Sequence, residues 1–179
     1  MYAALFSALI NSCAPRYAPP PDLPSSVKQI RTPEETQQWL ENVLTYNRDP
    51  ILYGKPDFWA PCGLTYSLKQ GDCEDYAICA AAILDHDIEQ GYIVTVYNAE
   101  PKRAHAVFVF QLHGKWGMLS NDKSQYRPAT FATLEDVVID SLKEDYQEYS
   151  VYDYTGIDIT DGDQNLKLKM SLVWEHRLR

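Results

Sequence analysis

A chain of 179 residues has enough material for one domain with a real core and too little for two ordinary ones. Hydrophobic residues at 45% and charged residues at 23% exclude a disordered chain, and 12% aromatics with 13 Tyr point to an aromatic-rich core or groove. The formal charge of -9 argues against nucleic acid or anionic lipid as the main partner, because phosphates are held by clustered Lys and Arg and no such cluster is present.

The opening run from Met1 to Ile10 is apolar but well short of the ~20 residues needed to span a bilayer. Ile10-Asn11-Ser12-Cys13 then resembles the end of a bacterial lipoprotein signal, which would make Cys13 a lipid anchor and the protein an exported, periplasmic one. No Lys or Arg precedes the apolar run as a signal peptide wants, so a plain start to a cytoplasmic chain stays open. Residues 1–26 read as this signal plus a proline-rich spacer from Ala14 to Ser26, and residues 27–179 as a single domain.

Thr32-Pro33-Glu34-Glu35 reads as a helix start, with Thr32 as N-cap and Glu35 closing a capping box, and the helix is expected over 33–46. Asn47 to Asp57 is turn material, so the segment before Gly71 is expected to be mostly loop lining a cleft. From Cys73 the residues Ala77, Ala80, Ala81, Leu84 and Ile88 recur at helical spacing, with Gln90-Gly91 as the stop. Strands are expected at 92–97, 104–112 and 116–119, then a helix from Thr133 to about Tyr146, then strands at 150–154 and 166–174. Helices on an antiparallel sheet make the fold class α+β.

The four cysteines, Cys13, Cys62, Cys73 and Cys79, form no CxxC or Cys/His pair at zinc spacing. A chain this long does not need a disulfide framework to fold, and one Cys62–Cys79 bridge is the pairing left open. Cys73 falls at the first turn of its helix, where unpaired N–H groups favour an anion and so a thiolate nucleophile; the bland alternative is an inert buried cysteine. Three carboxylates around a thiolate repel it, so Asp72 and Asp75 either turn away to cap the helix, or Asp72 and Glu74 hold a hard cation such as calcium. Among four histidines, His105 opens the apolar strand Ala106–Phe110, where a general base would be held rigidly, and the chemistry needs no organic cofactor.

Asp57-Phe58-Trp59-Ala60-Pro61, Gly71-Asp72-Cys73-Glu74-Asp75-Tyr76-Ala77-Ile78, Ala104-His105-Ala106-Val107 and Lys115-Trp116-Gly117-Met118-Leu119 together resemble the transglutaminase-like superfamily, in particular bacterial transglutaminase-like cysteine proteinases. Some of those are periplasmic enzymes that clip surface adhesins. The resemblance implies a papain/transglutaminase-like fold, Cys73 as nucleophile, His105 as its base, and a calcium site on Asp72 and Glu74. The family commonly places an Asp four residues after the Trp, where this chain has Ser120; Asn121, narrowly preferred, or Asp122 is then the residue expected to orient His105, with a bare Cys/His pair as the other option. Oxyanion donors are unassigned, the Cys73 N–H, Gln70 and Trp59 being candidates. The expected activity is a monomeric cysteine peptidase acting on a protein or peptide. The alternatives are a transglutaminase or glutamine deamidase using the same residues, or an idle protein-binding module.

Overall fold

The structure is a computed structural model that describes residues 22–98, 102–142, 146–160 and 165–177. Cys13 and the lipoprotein-like start lie outside these residues. Leu23 and Val27, the latter in a short 3-10 turn (Val27–Gln29), already belong to the core.

Helix α1 (Pro33–Val43) begins as its sequence dictates: the Glu35 N–H donates to Thr32 Oγ1 at 3.2 Å and Glu35 Oε2 accepts from the Thr32 N–H at 3.2 Å. It stops short of Tyr46 because Thr45–Tyr46 (β1) pairs in parallel with Gln70–Gly71 (β2). The expected loop between them contains two helices, α2 (Asp49–Leu52) and α3 (Cys62–Leu68). Both start at a proline-marked turn, a helix-entry signal that the turn reading of the segment overrode.

Helix α4 (Cys73–Leu84) is buried almost all round, with Ile78, Cys79, Ala80, Ala81 and Leu84 at 0% exposure. Its small alanines let it press closely on a sheet, and each fully buried Ile or Leu there contributes about 1.5–3 kcal/mol. The sheet has strand order β6-β5-β4-β3-β7-β8, all antiparallel. Its strands are β3 (Gln90–Asn98), β4 (Arg103–Leu112), β5 (Lys115–Leu119), β6 (Arg127–Phe131), β7 (Glu148–Asp153) and β8 (Ser171–Arg177). Gly91 therefore lies inside β3 rather than ending the preceding helix. It is small because a Cβ there would come within 2.7 Å of the Phe108 ring.

The consecutive burial of Val107, Phe108, Val109 and Phe110 shows that β4 is covered on both faces. Phe108 and Phe110 pack with α4 and α1, whereas Val107 and Val109 pack with Val137 and Val138 of α5 (Leu134–Leu142). The expected 166–174 strand is split: α6 (Leu166–Lys169) buries Leu166 in the core, and only the remainder joins the sheet as β8. Among the described residues no helix is long and apolar enough to cross a membrane.

Candidate active site

The thiol wall of the site is built by the start of α4. Gly71 has no room for a side chain, since a Cβ would lie 2.7 Å from Asp75 Cβ. Asp75 folds back to close a capping box, its Oδ2 accepting from the Asp72 N–H at 3.3 Å while its Oδ1 accepts from the Ala60 N–H at 2.9 Å. Cys73 is thereby fixed as the first helical residue, half-buried and free of any disulfide. Cys62 and Cys79 are bridged, so the pairing left open in the sequence is formed and ties α3 to α4.

The helix start does not by itself favour a thiolate here. Burial pushes the Cys73 thiol up, the neighbouring Glu74 carboxylate adds to this, and the Ala106 backbone N–H works in the other direction. The thiol donates to Glu74 Oε2 at 3.1 Å. Desolvation and an adjacent carboxylate thus act against the half charge at the helix end.

Around the thiol sit four buried carboxylates, Asp49, Asp72, Glu74 and Asp75. Burial is the first cause of a raised pKa at each of them, with Asp49 pushed up to about 6 and Glu74 to about 10. Asp49 Oδ2 accepts from the Phe58 N–H, and the Asp49 N–H donates to Asp72 Oδ2 at 3.4 Å. Asp49 Oδ1 and Asp72 Oδ1, however, are buried without a hydrogen-bond partner. Ligand oxygens of Asp49, Asp57 and Glu74 lie within 4.8 Å of one another, as do those of Asp49, Asp72 and Asp75. Orphaned carboxylate oxygens facing each other suit a hard dication, and Asp72 both caps the helix position and offers a ligand atom. Asp49 was hidden in the sequence among turn residues; Asp-Pro at a helix start was its only signal.

The imidazole wall is built from uncharged partners. His105, at the start of β4, has Nε2 2.9 Å from Gln125 Oε1 and 3.2 Å from Ser120 Oγ, and its ring stacks on Tyr146 with centroids 6.2 Å apart. Ser120 is buried, and its hydroxyl donates to Gln125 Oε1 at 2.9 Å. The side chains that meet the ring at Nε2 are those of Ser120 and Gln125, not Asn121 or Asp122. Asp122 caps the 3-10 turn Lys123–Gln125, its Oδ1 accepting from the Ser124 N–H at 2.9 Å and hydroxyl at 2.7 Å, and Asn121 Oδ1 is buried without a partner. The turn capped by Asp122 delivers Gln125 instead, a placement no spacing rule in the sequence reveals.

Of the other histidines, His86 is 89% exposed beyond α4, His113 sits in the β4–β5 turn at φ 53, and His176 lies on the exposed strand β8. Among the oxyanion candidates, Gln70 Oε1 accepts from Asn47 and the Trp59 indole N–H donates to Asp57 at 3.1 Å.

Cys73 and His105 line one cleft of about 1280 Å³, together with Tyr46, Trp59, Tyr149 and Tyr152. Arg48, Lys102, Lys167 and Arg177 also face it, Lys167 resting over the Trp59 ring at 4.9 Å. Tyr46 was not singled out in the sequence; it lines the same cleft as the thiol, and burial and then the Cys73 charge push its phenol up.

No curated protein matches the chain. Two similar solved structures are those of Legionella pneumophila LapG, one of them EGTA-treated. Each is 21% identical with a TM-score of 0.41, and the match covers 59% of this chain and 57% or 65% of the neighbour, the EGTA-treated structure having the lower figure. The chain thus spans less than two thirds of either neighbour's length. The family described as a transglutaminase-like domain matches over residues 22–152, most of the chain and the whole of both cleft walls as far as Tyr152. With this match, an antiparallel sheet and a cysteine at the N-terminus of the helix packed on it, the chain belongs to the transglutaminase-like family and has the papain/transglutaminase-like α+β fold.

Proposed function

We propose that the protein is a cysteine peptidase in which Cys73 is the nucleophile and His105 the general base. The observation that carries this reading is the meeting of Cys73, on the first residue of α4, and His105, on β4, in one cleft, with the Ala106 N–H of the next residue beside the thiol. In the reaction the Cys73 sulfur attacks the peptide carbonyl carbon while His105 takes the thiol proton. His105 then returns that proton to the leaving amine as the C–N bond breaks, leaving a thioester on Cys73. Water, deprotonated by the same ring, attacks the thioester carbonyl and releases the acid and the thiol. The aromatic walls of the cleft, Tyr46, Trp59 and Tyr152, and its volume of about 1280 Å³ suit a polypeptide segment.

Asp49, Asp57, Asp72 and Glu74 would hold a hard dication of the calcium type. Bound, such an ion supplies the positive charge that lets these carboxylates ionise together. Asp75 is committed to the Ala60 and Asp72 N–H groups and serves as the cap. The Cys62–Cys79 bridge supports an oxidising, exported location, and a lipid on Cys13 is part of the same proposal. The chain acts as a monomer in this reading.

Alkylation by iodoacetamide across pH, with and without calcium and read by mass spectrometry, tests the nucleophile. Cys73 is expected to react with a titration that His105→Ala abolishes. A rate at Cys73 indifferent to His105 would instead fit an idle binding module. Fluorescent casein, offered with and without a labelled amine, separates the chemistries: cleavage is expected, and amine incorporation without cleavage would mean acyl transfer.

A further inference from the structure

We propose that Gln125 is the residue that orients and sets the tautomer of His105, standing in for the carboxylate that the transglutaminase-like pattern has four residues after its Trp, with Gln37 bracing the relay from α1. This rests on the reading of His105 as the base.

The argument starts from what faces Nε2. Gln125 Oε1 lies at 2.9 Å and can only accept. Ser120 Oγ lies at 3.2 Å and has already given its hydrogen to Gln125 Oε1 at 2.9 Å, so it too meets the ring with a lone pair. Two acceptors at one nitrogen require that nitrogen to carry the proton. The neutral ring is then the Nε2–H tautomer, whose Nδ1 carries the lone pair that accepting a thiol proton requires.

The relay is held in place from a different layer of the fold. Gln37, 4% exposed on α1, donates from Nε2 to the Ser120 carbonyl at 2.9 Å and accepts from the Ser120 N–H at 3.3 Å. This two-point clamp fixes the end of β5 where Ser120 leaves the sheet. The Asp122 N–H donates to Ser120 Oγ at 3.1 Å, and the Asp122 carboxylate shapes the turn that presents Gln125. An amide suits this place, because the opposite wall already carries four buried carboxylates and a neutral acceptor orients the ring without adding another charge.

The test has two arms. In a Cys73→Ala background at about pH 9, where an ordinary imidazole is neutral, long-range proton–nitrogen NMR reads which ring nitrogen of His105 is protonated. The expected signature is Nε2–H, moving to a mixture of tautomers with Gln125→Ala and kept with Gln125→Glu, which restores an acceptor. A ring already Nδ1–H, or one unmoved by Gln125→Ala, overturns the proposal, and neither result depends on whether Cys73 cleaves anything. In the native-thiol protein acting on fluorescent casein, Gln125→Ala is expected to lower kcat on the order of 10- to 100-fold with KM nearly unchanged, the scale on which a partner of a working imidazole acts. Gln125→Glu should recover most of that loss. A fall in kcat that Glu fails to rescue, or a change confined to KM, would show Gln125 to be structural only.

Discussion

The two walls of the cleft solve opposite electrostatic problems. The thiol wall concentrates Asp49, Asp72, Glu74 and Asp75 in a buried space and leaves Asp49 Oδ1 and Asp72 Oδ1 without donors. The imidazole wall uses neutral side chains: Ser120 Oγ donates to Gln125 Oε1 at 2.9 Å, and Gln37 clamps the Ser120 backbone at 2.9 and 3.3 Å. The first wall holds acids whose buried charges call for shared protons or a counter-charge, whereas the second meets the ring with uncharged groups. A site of this kind carries its rigidity on the imidazole side and its responsiveness on the thiol side.

That contrast can be broken most forcefully at the Cys62–Cys79 bridge, which pins α3 to α4 behind the thiol wall only. For a sequence separation of 17, closing the loop contributes about 3 kcal/mol, so reduction should lower Tm by roughly 6–12 °C. Hydrogen exchange should rise in α3 and the first turn of α4 before it rises in β4 and β5. Equal loosening of both walls would contradict the division.

A smaller effect is expected from the carboxylates themselves. Their folded pKa values are raised, so the native state binds more protons than the unfolded chain between the two values, and stability falls as pH rises. The window runs from 3.8 through about 6 for Asp49 and from 4.5 through about 10 for Glu74. In chelator, melting temperature should decline from pH 5 toward pH 8, and calcium at about a hundred times its Kd should restore about 2.7 kcal/mol, or roughly 5–10 °C. A melting temperature indifferent to both pH and calcium would remove the cation site.

The smallest effect isolates Glu74. It accepts the Cys73 hydrogen at 3.1 Å, and burial keeps Glu74 itself protonated up to about pH 10, so Glu74→Gln in chelator should speed alkylation of Cys73 only above that pH, by about tenfold, one pKa unit's worth. No acceleration would mean that burial alone suppresses the thiolate.

Much of the thiol wall was legible in the sequence because it is local. Gly71, Asp72, Cys73, Glu74 and Asp75 are consecutive, and the rules for helix starts place each of them relative to the others within one turn. Asp49 escaped that reading, since its approach to Asp72 depends on β1 and β2 pairing and on the chain turning back through Phe58. On the other wall, His105 was identifiable from the apolar strand behind it, but its partner was sought among Asn121 and Asp122. The residue at the ring is Gln125, because the Asp122 carboxylate spends itself on Ser124 and bends the chain into a further turn.

By itself the sequence determined the helix that begins at Cys73, the strands around it and the α+β class, and it singled out the cysteine and the histidine that line one cleft. These follow from short-range periodicity and capping, which act over a few residues. The tertiary structure alone decided the burial of the thiol, the members of the acidic cluster, the Cys62–Cys79 bridge and the partners of His105 at Nε2. Each of those depends on burial and on distances between segments remote in the chain, and desolvation and hydrogen-bond geometry exist only once the walls have packed.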